Sequence, residues 1–491
     1  MFRATRTLLF GGVAGKVLGV ARELVTAGLF GTGPVAVAYR LAQAAFLIPL
    51  NGLLSDAFSA GFTPAYARSG MERSAAGRAL FAGTHVAVLV SALVMAGLLV
   101  LLASQWVLLL APGFDAATAR TTTRMVVALA LAVPFYAVAS LYASVGVAGG
   151  DAVLAAARAA WQNVGVLGGT LLAWWSGEPV YIAAGFVGAY VLLALRGLHD
   201  VRARGLPLWP RRGEWAEARD MLATVWRSVR VLLLVPVLVQ IHLVVERRVA
   251  SLVSTDAVAA LDYARFLTDT AVLLVAMPFG LAGLGAMVSL SEARFRDVAA
   301  QSLRILLYVG APLSLAVALH AEAIVRVIYA RGAFDAESVA TTTAILRWSA
   351  PGLWGALVGY AGAKFMAARG SNVRAMAAYA AAFGANVALN LLLYRRFGTV
   401  ALGVAGAANG IVFGLLIVRC LGLFGRLKRD FLTLGALCAV YVGIAALVTS
   451  FSGASDWLPP FVFAAYWFSA VSFVPSCRQV MHETWVSFRS A

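Results

Sequence analysis

The sequence predicts an all-α, polytopic membrane protein of about fourteen transmembrane helices. Three observations predict it. Apolar stretches of membrane-spanning length follow one another through residues 8–480. The 491 residues are 62% hydrophobic and only 12% charged, whereas soluble domains carry about 25% charged residues. Several stretches also hold ionisable residues well inside them: Lys16, Arg22 and Glu23 in the first, Glu246 and Arg247 in the seventh, Arg265 in the eighth. A charge at bilayer depth costs about 2.5–3.5 kcal/mol on insertion scales, so it normally faces a cavity or a partner. A many-helix protein with a cationic interior reads most simply as a transporter of an anionic molecule.

The spans are expected near 7–30, 35–62, 79–110, 121–148, 152–175, 179–197, 222–246, 260–290, 301–325, 341–366, 372–394, 399–424, 431–451 and 458–480. Each approaches or exceeds the roughly 20 residues that cross about 30 Å of hydrocarbon. Pro49, Gly52 and Gly61 offer bending points in the second. The first span is too long and too charged for a cleavable signal peptide. Basic residues alternate between loops. One side holds Arg68, Arg73 and Arg78, then Arg196, Arg202, Arg204, Arg211 and Arg212, while the opposite loops at 31–34, 175–179 and 450–457 hold no Lys or Arg. The positive-inside rule therefore predicts both termini in the cytoplasm of a bacterial inner membrane protein, with an even number of spans. This placement also turns the net charge of +17 toward membrane topology and away from nucleic acid. Cys420, Cys438 and Cys477 show no metal-ligand spacing and read as small packing residues.

An internal repeat is visible. Residues 113–123 read GFDAATARTTT and residues 333–343 read AFDAESVATTT, an offset of 220 residues. Six spans fit within that offset, so both copies enter the membrane in the same direction. That predicts two parallel six-helix halves, 1–197 and 222–425, joined by a basic linker at 198–221. Two extra helices and a tail occupy 426–491.

The charged residues inside the spans are the candidate site. Gly12, Gly15 and Gly19 make a small-residue stripe on the first span, and Lys16 and Glu23 lie seven apart on one face. The stripe suits close helix packing, whereas three charges within eight residues suit contacts to an anion in a cavity. Arg40 sits early in the second span and either snorkels to the interface or faces the interior. Asp56, later in that span, is a cap or an internal counter-ion. Gln240, His242, Glu246 and Arg247 occupy the outer half of the seventh span, as a gate, a cation site or an interfacial cluster. Arg265 is flanked by Asp262 and Asp269 at helix-neighbour spacings. Its planar donor fork suits phosphate oxygens. Asn386 and Asn390 lie one turn apart in the eleventh span and suit either helix–helix bonding or ion binding. Enzyme signatures are weak: no zinc-protease motif, no phosphate-binding loop and no paired CxxC occur. The triplet Asp335-Ala336-Glu337 reads as a loop cap, because its repeat partner at 115–117 lacks the second acid. No cofactor is expected.

Several motifs resemble one family. GKVLGVARELVTAGLFGTG (15–33), DAFSAGFTPAYA (56–67), APGFDAATARTTTRM (111–125) and YARGAFDAESVATTTAIL (329–346) are similar to stretches of MurJ/MviN-type lipid-linked oligosaccharide flippases. These belong to the multidrug/oligosaccharidyl-lipid/polysaccharide exporter superfamily. The resemblance implies an undecaprenyl-pyrophosphate-linked sugar as substrate, moved by alternating access. It implies that Lys16, Arg22 and Arg265 meet the pyrophosphate, and that spans 13 and 14 line a groove for the lipid tail. Glu23, Arg40, Asp56, Arg247 and Asp269 are then counter-ions or gate residues. Glu246, Asn386 and Asn390 resemble in type a sodium site of some members, so coupling to Na+ or H+ is an expectation. Val37 and Asn51 stand where lipid II-moving relatives carry charges. On that ground an exopolysaccharide or capsule repeat unit is the expected cargo and lipid II the alternative, with contacts to glycosyltransferases or a polymerase of the same pathway. A multidrug antiporter fits less well, since its cavity should be acidic and aromatic.

Overall fold

A chain this apolar must satisfy its backbone hydrogen bonds internally, and the helix is the local solution. The computed structural model describes residues 2–53, 56–232, 234–451, 458–475 and 477–478, and these contain helices and no strand. Contacts divide them into two compact units, Met1–Ala259 with Tyr329–Ser338, and Ala260–Ile328 with Val339–Ala491.

The first unit runs α1 (Phe2–Phe30), α2 (Pro34–Leu53), α3 (Asp56–Arg68), α4 (Ala75–Leu101), α5 (Ala103–Leu110), α6 (Ala116–Ala130), α7 (Val133–Ala148), α8 (Val153–Ser176), α9 (Val180–Ala203), α10 (Trp215–Leu232) and α11 (Leu234–Val253). Helix α12 (Thr255–Ala286) leads into the second unit, which continues through α13 (Glu292–Leu319), α14 (Ala321–Tyr329), α15 (Ala336–Ser349), α16 (Leu353–Ala368), α17 (Asn372–Phe397), α18 (Thr399–Cys420), α19 (Phe424–Phe451) and α20 (Leu458–Phe473).

The expected spans appear, several of them as broken pairs. Among the described residues seven uninterrupted helices are long and apolar enough to cross a membrane, and α6 with α7 makes an eighth across a 44° bend. Helix α1 is as long, but Lys16, Arg22 and Glu23 interrupt its apolar run. The second expected span falls on α2 and α3, with Pro49 inside α2. Breaks recur at corresponding places in the two sequence copies: α4 passes to α5 at Leu102, and α13 to α14 at His320. Packing recurs too. Helix α7 packs on α4 and α9, and α8 on α9; in the second unit α16 packs on α13 and α18, and α17 on α18.

Glycines set the closest approaches. A Cβ on Gly11 would stand 2.5 Å from the Ala156 carbonyl of α8, and one on Gly15 would stand 2.7 Å from Ala159 Cβ. Gly19 faces Asn163, whose side-chain amide donates to the Gly15 carbonyl at 2.8 Å. Gly12 faces open space. The packing stripe is therefore Gly11, Gly15 and Gly19 at a strict four-residue spacing, and the expected membership of Gly12 is corrected.

The repeated turns pack reciprocally within the first unit. In the second copy, the Ala333 amide donates to the Gly28 carbonyl at 2.8 Å, and the hydroxyls of Thr32 and Ser338 share a 2.8 Å hydrogen bond. This turn sits on the C-terminal end of α1, where Gly332 (φ 60°) comes too close to Gly28 to carry a side chain. In the first copy, Gly113 lies against Ser251, and Arg248 donates to the Leu109 carbonyl at 2.9 Å. That turn sits on the C-terminal end of α11. Residues 248 and 251 stand 220 after 28 and 31, the offset of the repeat. Each copy's turn thus seats on the helix that opens the other copy. The repeated aspartates are helix caps. Asp115 accepts from the Ala117 and Thr118 amides, and Asp335 from the Ser338 amide. The hydrogen bonds from Thr118 and Ser338 hold these exposed carboxyls below their ordinary range.

A Cβ on Gly113 would lie 1.9 Å from the Ser251 carbonyl oxygen. Gly113→Ala is expected to cost about 1–3 kcal/mol, as overpacking does. The midpoint of thermal unfolding in detergent should fall by a few degrees, while Gly12→Ala leaves it unchanged. Equal midpoints for the two variants would contradict the seating of the turn on α11.

Candidate functional site

Helices α1 and α2 lie side by side, and their facing turns bring three charges together. Glu23 is buried, and its carboxylate is hydrogen-bonded by Arg22 through one oxygen and by Arg40 through the other, the latter at 2.5 Å. The three side chains are 16% (Arg22), 6% (Glu23) and 8% (Arg40) exposed. Two cations on one anion leave the triad with a net charge of +1. Arg22 is the most accessible member, so it is the one placed to meet a ligand. The interfacial reading of Arg40 is corrected: Glu23 draws it inward. Tyr39, next along α2, is 4% exposed and lies in the field of Arg22, Glu23 and Arg40.

The other expected site residues lie on other turns and helices of the two units. Lys16 is exposed on α1, about 9 Å before Arg22 at 1.5 Å per residue. Glu246 and Arg247 are buried on α11, where an Arg247 Nη donates to the Val258 carbonyl at 3.4 Å. Arg265 is half-buried on α12, with Asp269 exposed one turn later. It belongs to the second unit, whereas Arg22 and Arg40 belong to the first. Asn386 and Asn390 are buried on α17, and the Asn390 amide donates to the Asn386 carbonyl oxygen at 2.8 Å. Asp56 opens α3, and its side chain lies outside the described residues.

Sequence reasoning missed a second cationic centre. Arg158 on α8 donates to the hydroxyls of Tyr136 and Ser140, each at 3.2 Å, and stacks 5.0 Å over the Tyr136 ring. Tyr136 packs on Tyr190, whose hydroxyl donates to Gln162 at 2.8 Å. A lone arginine inside the apolar stretch 152–175 was the available signal. It is the same test that found Arg22. In the second unit Asp430, buried near the start of α19, accepts from Arg304 at 3.0 Å and from Tyr308 at 3.1 Å. In the same unit, α13, α16 and α19 line an open apolar pocket of about 310 Å³, with Leu307, Ser314, Trp354, Phe431, Leu434 and Cys438 among its walls.

A polytopic helical protein with a cationic triad on its first two spans has the architecture of a membrane transporter. Comparison with known proteins narrows the class. The family model described as Lipid II flippase MurJ matches residues 26–473. The chain belongs to this family, and it is a transporter, not an enzyme. The probable lipid II flippase MurJ of Rhizobium meliloti (strain 1021) is 25% identical over 471 residues, covering 90% of this chain and 84% of the relative. Its counterpart in Rhizobium tropici is 27% identical over 434 residues, covering 82% and 78%. Among solved structures, a lipid II flippase MurJ in an inward closed conformation superposes with a TM-score of 0.80 at 17% identity, covering 95% of this chain and 98% of that one. An inward-facing multidrug resistance MATE family transporter follows at 0.66 and 13% identity, covering 84% and 96%. These two likenesses establish the fold.

Removing one partner from a buried ion pair typically costs about 3–5 kcal/mol, because the remaining charge is stranded. Glu23→Ala should therefore destabilise the protein strongly, by leaving Arg22 and Arg40 facing each other. Arg22→Ala should cost less, since Arg40 still neutralises Glu23. The order is checked by thermal unfolding of the purified variants. A Glu23→Ala protein as stable as Arg22→Ala would show that the triad does not hold α1 to α2.

Proposed function

We propose that this protein carries a polyprenyl-diphosphate-linked saccharide across the inner membrane, and that the cargo is lipid II. The observation that carries the reading is the Arg22–Glu23–Arg40 triad with its net charge of +1, buried in a chain of the MurJ family. A diphosphate is an anion with several acceptor oxygens, and a guanidinium fork meets such oxygens in pairs. Arg22 offers its more accessible side to the first phosphate, with Lys16 as a further cation on the same helix, and Arg265 is a candidate cation of the second unit. Glu23 holds Arg22 in place and keeps the empty site from becoming a doubly charged trap that would not release its ligand.

The lipid tail stays in hydrocarbon, and the apolar cavity beside α19 offers it a seat in the second unit. The basic loops support cytoplasmic termini by the positive-inside rule, and on that orientation the headgroup enters from the cytoplasmic side. Glu246 on α11 in the first unit and the Asn386–Asn390 pair on α17 in the second are each a separate candidate for a coupling Na+ or H+. One charge moving through 100 mV supplies about 2.3 kcal/mol.

Lipid II is favoured over an exopolysaccharide unit because both relatives above carry the lipid II name. The family's missing charges bear less weight here. Val37 is buried and apolar, but Glu23 already supplies an acid between the arginines of α1 and α2. In cells depleted of their own lipid II flippase, this chain is expected to restore growth and lipid II translocation. Arg22→Ala should not, at equal membrane levels. Failure of the native chain to rescue, with loss of a surface polysaccharide when its own gene is deleted, would reverse the assignment of cargo.

Orientation has its own check. In a variant without the native cysteines, Ala203→Cys should resist an impermeant thiol reagent in intact cells, and Ser176→Cys should react. Both side chains are exposed. Labelling of Ala203→Cys from outside would invert the proposed side of entry.

A further inference from the structure

We infer that the Tyr39 hydroxyl is a further headgroup contact, donating a hydrogen bond to a phosphate oxygen of the cargo. The inference rests on the diphosphate reading above and adds to it a residue that has no charge. Tyr39 lies on α2 beside Arg40, and its ring is buried at 4% exposure. Its hydroxyl is buried too, and among the described residues it makes no hydrogen bond. A buried hydroxyl without a partner is costly, and native proteins keep few of them.

The neighbours narrow the missing partner. The charged groups acting on Tyr39 are Arg22, Glu23 and Arg40, and Tyr190 of α9 is near enough to feel its charge. Both Glu23 oxygens are already taken by the two arginines. The phenol is therefore an unbonded donor in the field of a triad of net positive charge, and neither Glu23 oxygen accepts its hydrogen. The complement to such a donor is an anionic oxygen drawn in by Arg22. A phosphate oxygen fits, because it can accept from a guanidinium and a phenol at once. Phenylalanine would fill the same volume without the donor. The hydroxyl thus costs stability in the empty protein and gains its partner only when the headgroup arrives.

The phenol also separates a ligand contact from a structural one. Tyr39→Phe removes one oxygen that bonds to nothing in the protein. Folding should be unaffected or slightly improved. Binding of undecaprenyl diphosphate to the full chain in lipid nanodiscs should weaken about tenfold, roughly 1.4 kcal/mol. Undecaprenol, which lacks phosphate, should bind the native chain and Tyr39→Phe equally. Arg22→Ala is the companion variant. If Arg22→Ala loses affinity for undecaprenyl diphosphate while Tyr39→Phe matches the native chain, the Tyr39 contact is overturned and the diphosphate reading stands. If the native chain binds undecaprenyl diphosphate no better than undecaprenol, the diphosphate reading fails and takes the Tyr39 contact with it. A lower unfolding midpoint for Tyr39→Phe would make the hydroxyl a structural group and overturn the inference as well.

Discussion

Glu23 is the residue on which the rest of the site depends. It puts a carboxylate between Arg22 of α1 and Arg40 of α2, in a part of the protein surrounded by apolar side chains. Two like charges 4 Å apart repel by about 4 kcal/mol at an effective dielectric of 20. Without the carboxylate, the two helices could not bring their arginines to one place. With it, the three side chains together carry a net charge of +1 and are held in a fixed arrangement. A transporter needs that compromise, because a site too positive would bind its cargo and never let go.

The bundle around the triad is held mainly by close backbone approach. Lipid gives helices little hydrophobic reason to associate, so small residues and interhelical hydrogen bonds carry more of the packing. Gly11, Gly15 and Gly19 press α1 onto α8, and Asn163 locks that seam by donating to Gly15. The end of α1 is gripped in addition by the turn at 329–338, which the chain reaches only after α14. The helix that carries Arg22 and Glu23 is therefore tied at one end to a segment of the second sequence copy. Helix α11, which carries Glu246 and Arg247, is tied in the same manner to the turn of the first copy. A duplicated chain can cross-connect its copies in this manner because both copies carry the same turn.

Much of the fold was legible in the sequence. Apolar runs of membrane length announced the helices, and the Phe-Asp motif at 114–115 and 334–335 marked the two similar turns that cap α6 and α15. Composition could not reveal where spans break, because the breaks at Leu102 and His320 occur inside apolar sequence. For the site, Arg22 and Glu23 stood out because three charges within eight residues of an apolar span have no bland explanation. Arg40 was ambiguous, since its depth depends on which helix faces it. Arg158 passed unnoticed although it met the same criterion. Tyr39 could not be found at all: its significance lies in the partner it lacks, and only the packed structure shows that. The relatives back lipid II better than the exopolysaccharide unit expected from Val37 and Asn51, and two substituted positions say little when Glu23 already pairs with both arginines.

The central claim is that the triad on α1 and α2 receives a diphosphate. An experimental structure of the chain in nanodiscs with undecaprenyl diphosphate tests it most directly. The account predicts phosphate density within about 3 Å of the Arg22 guanidinium, the usual length of a charge-assisted hydrogen bond, with Glu23 still bound to Arg40. Headgroup density away from α1 and α2, with Arg22 still closed onto Glu23, would contradict it.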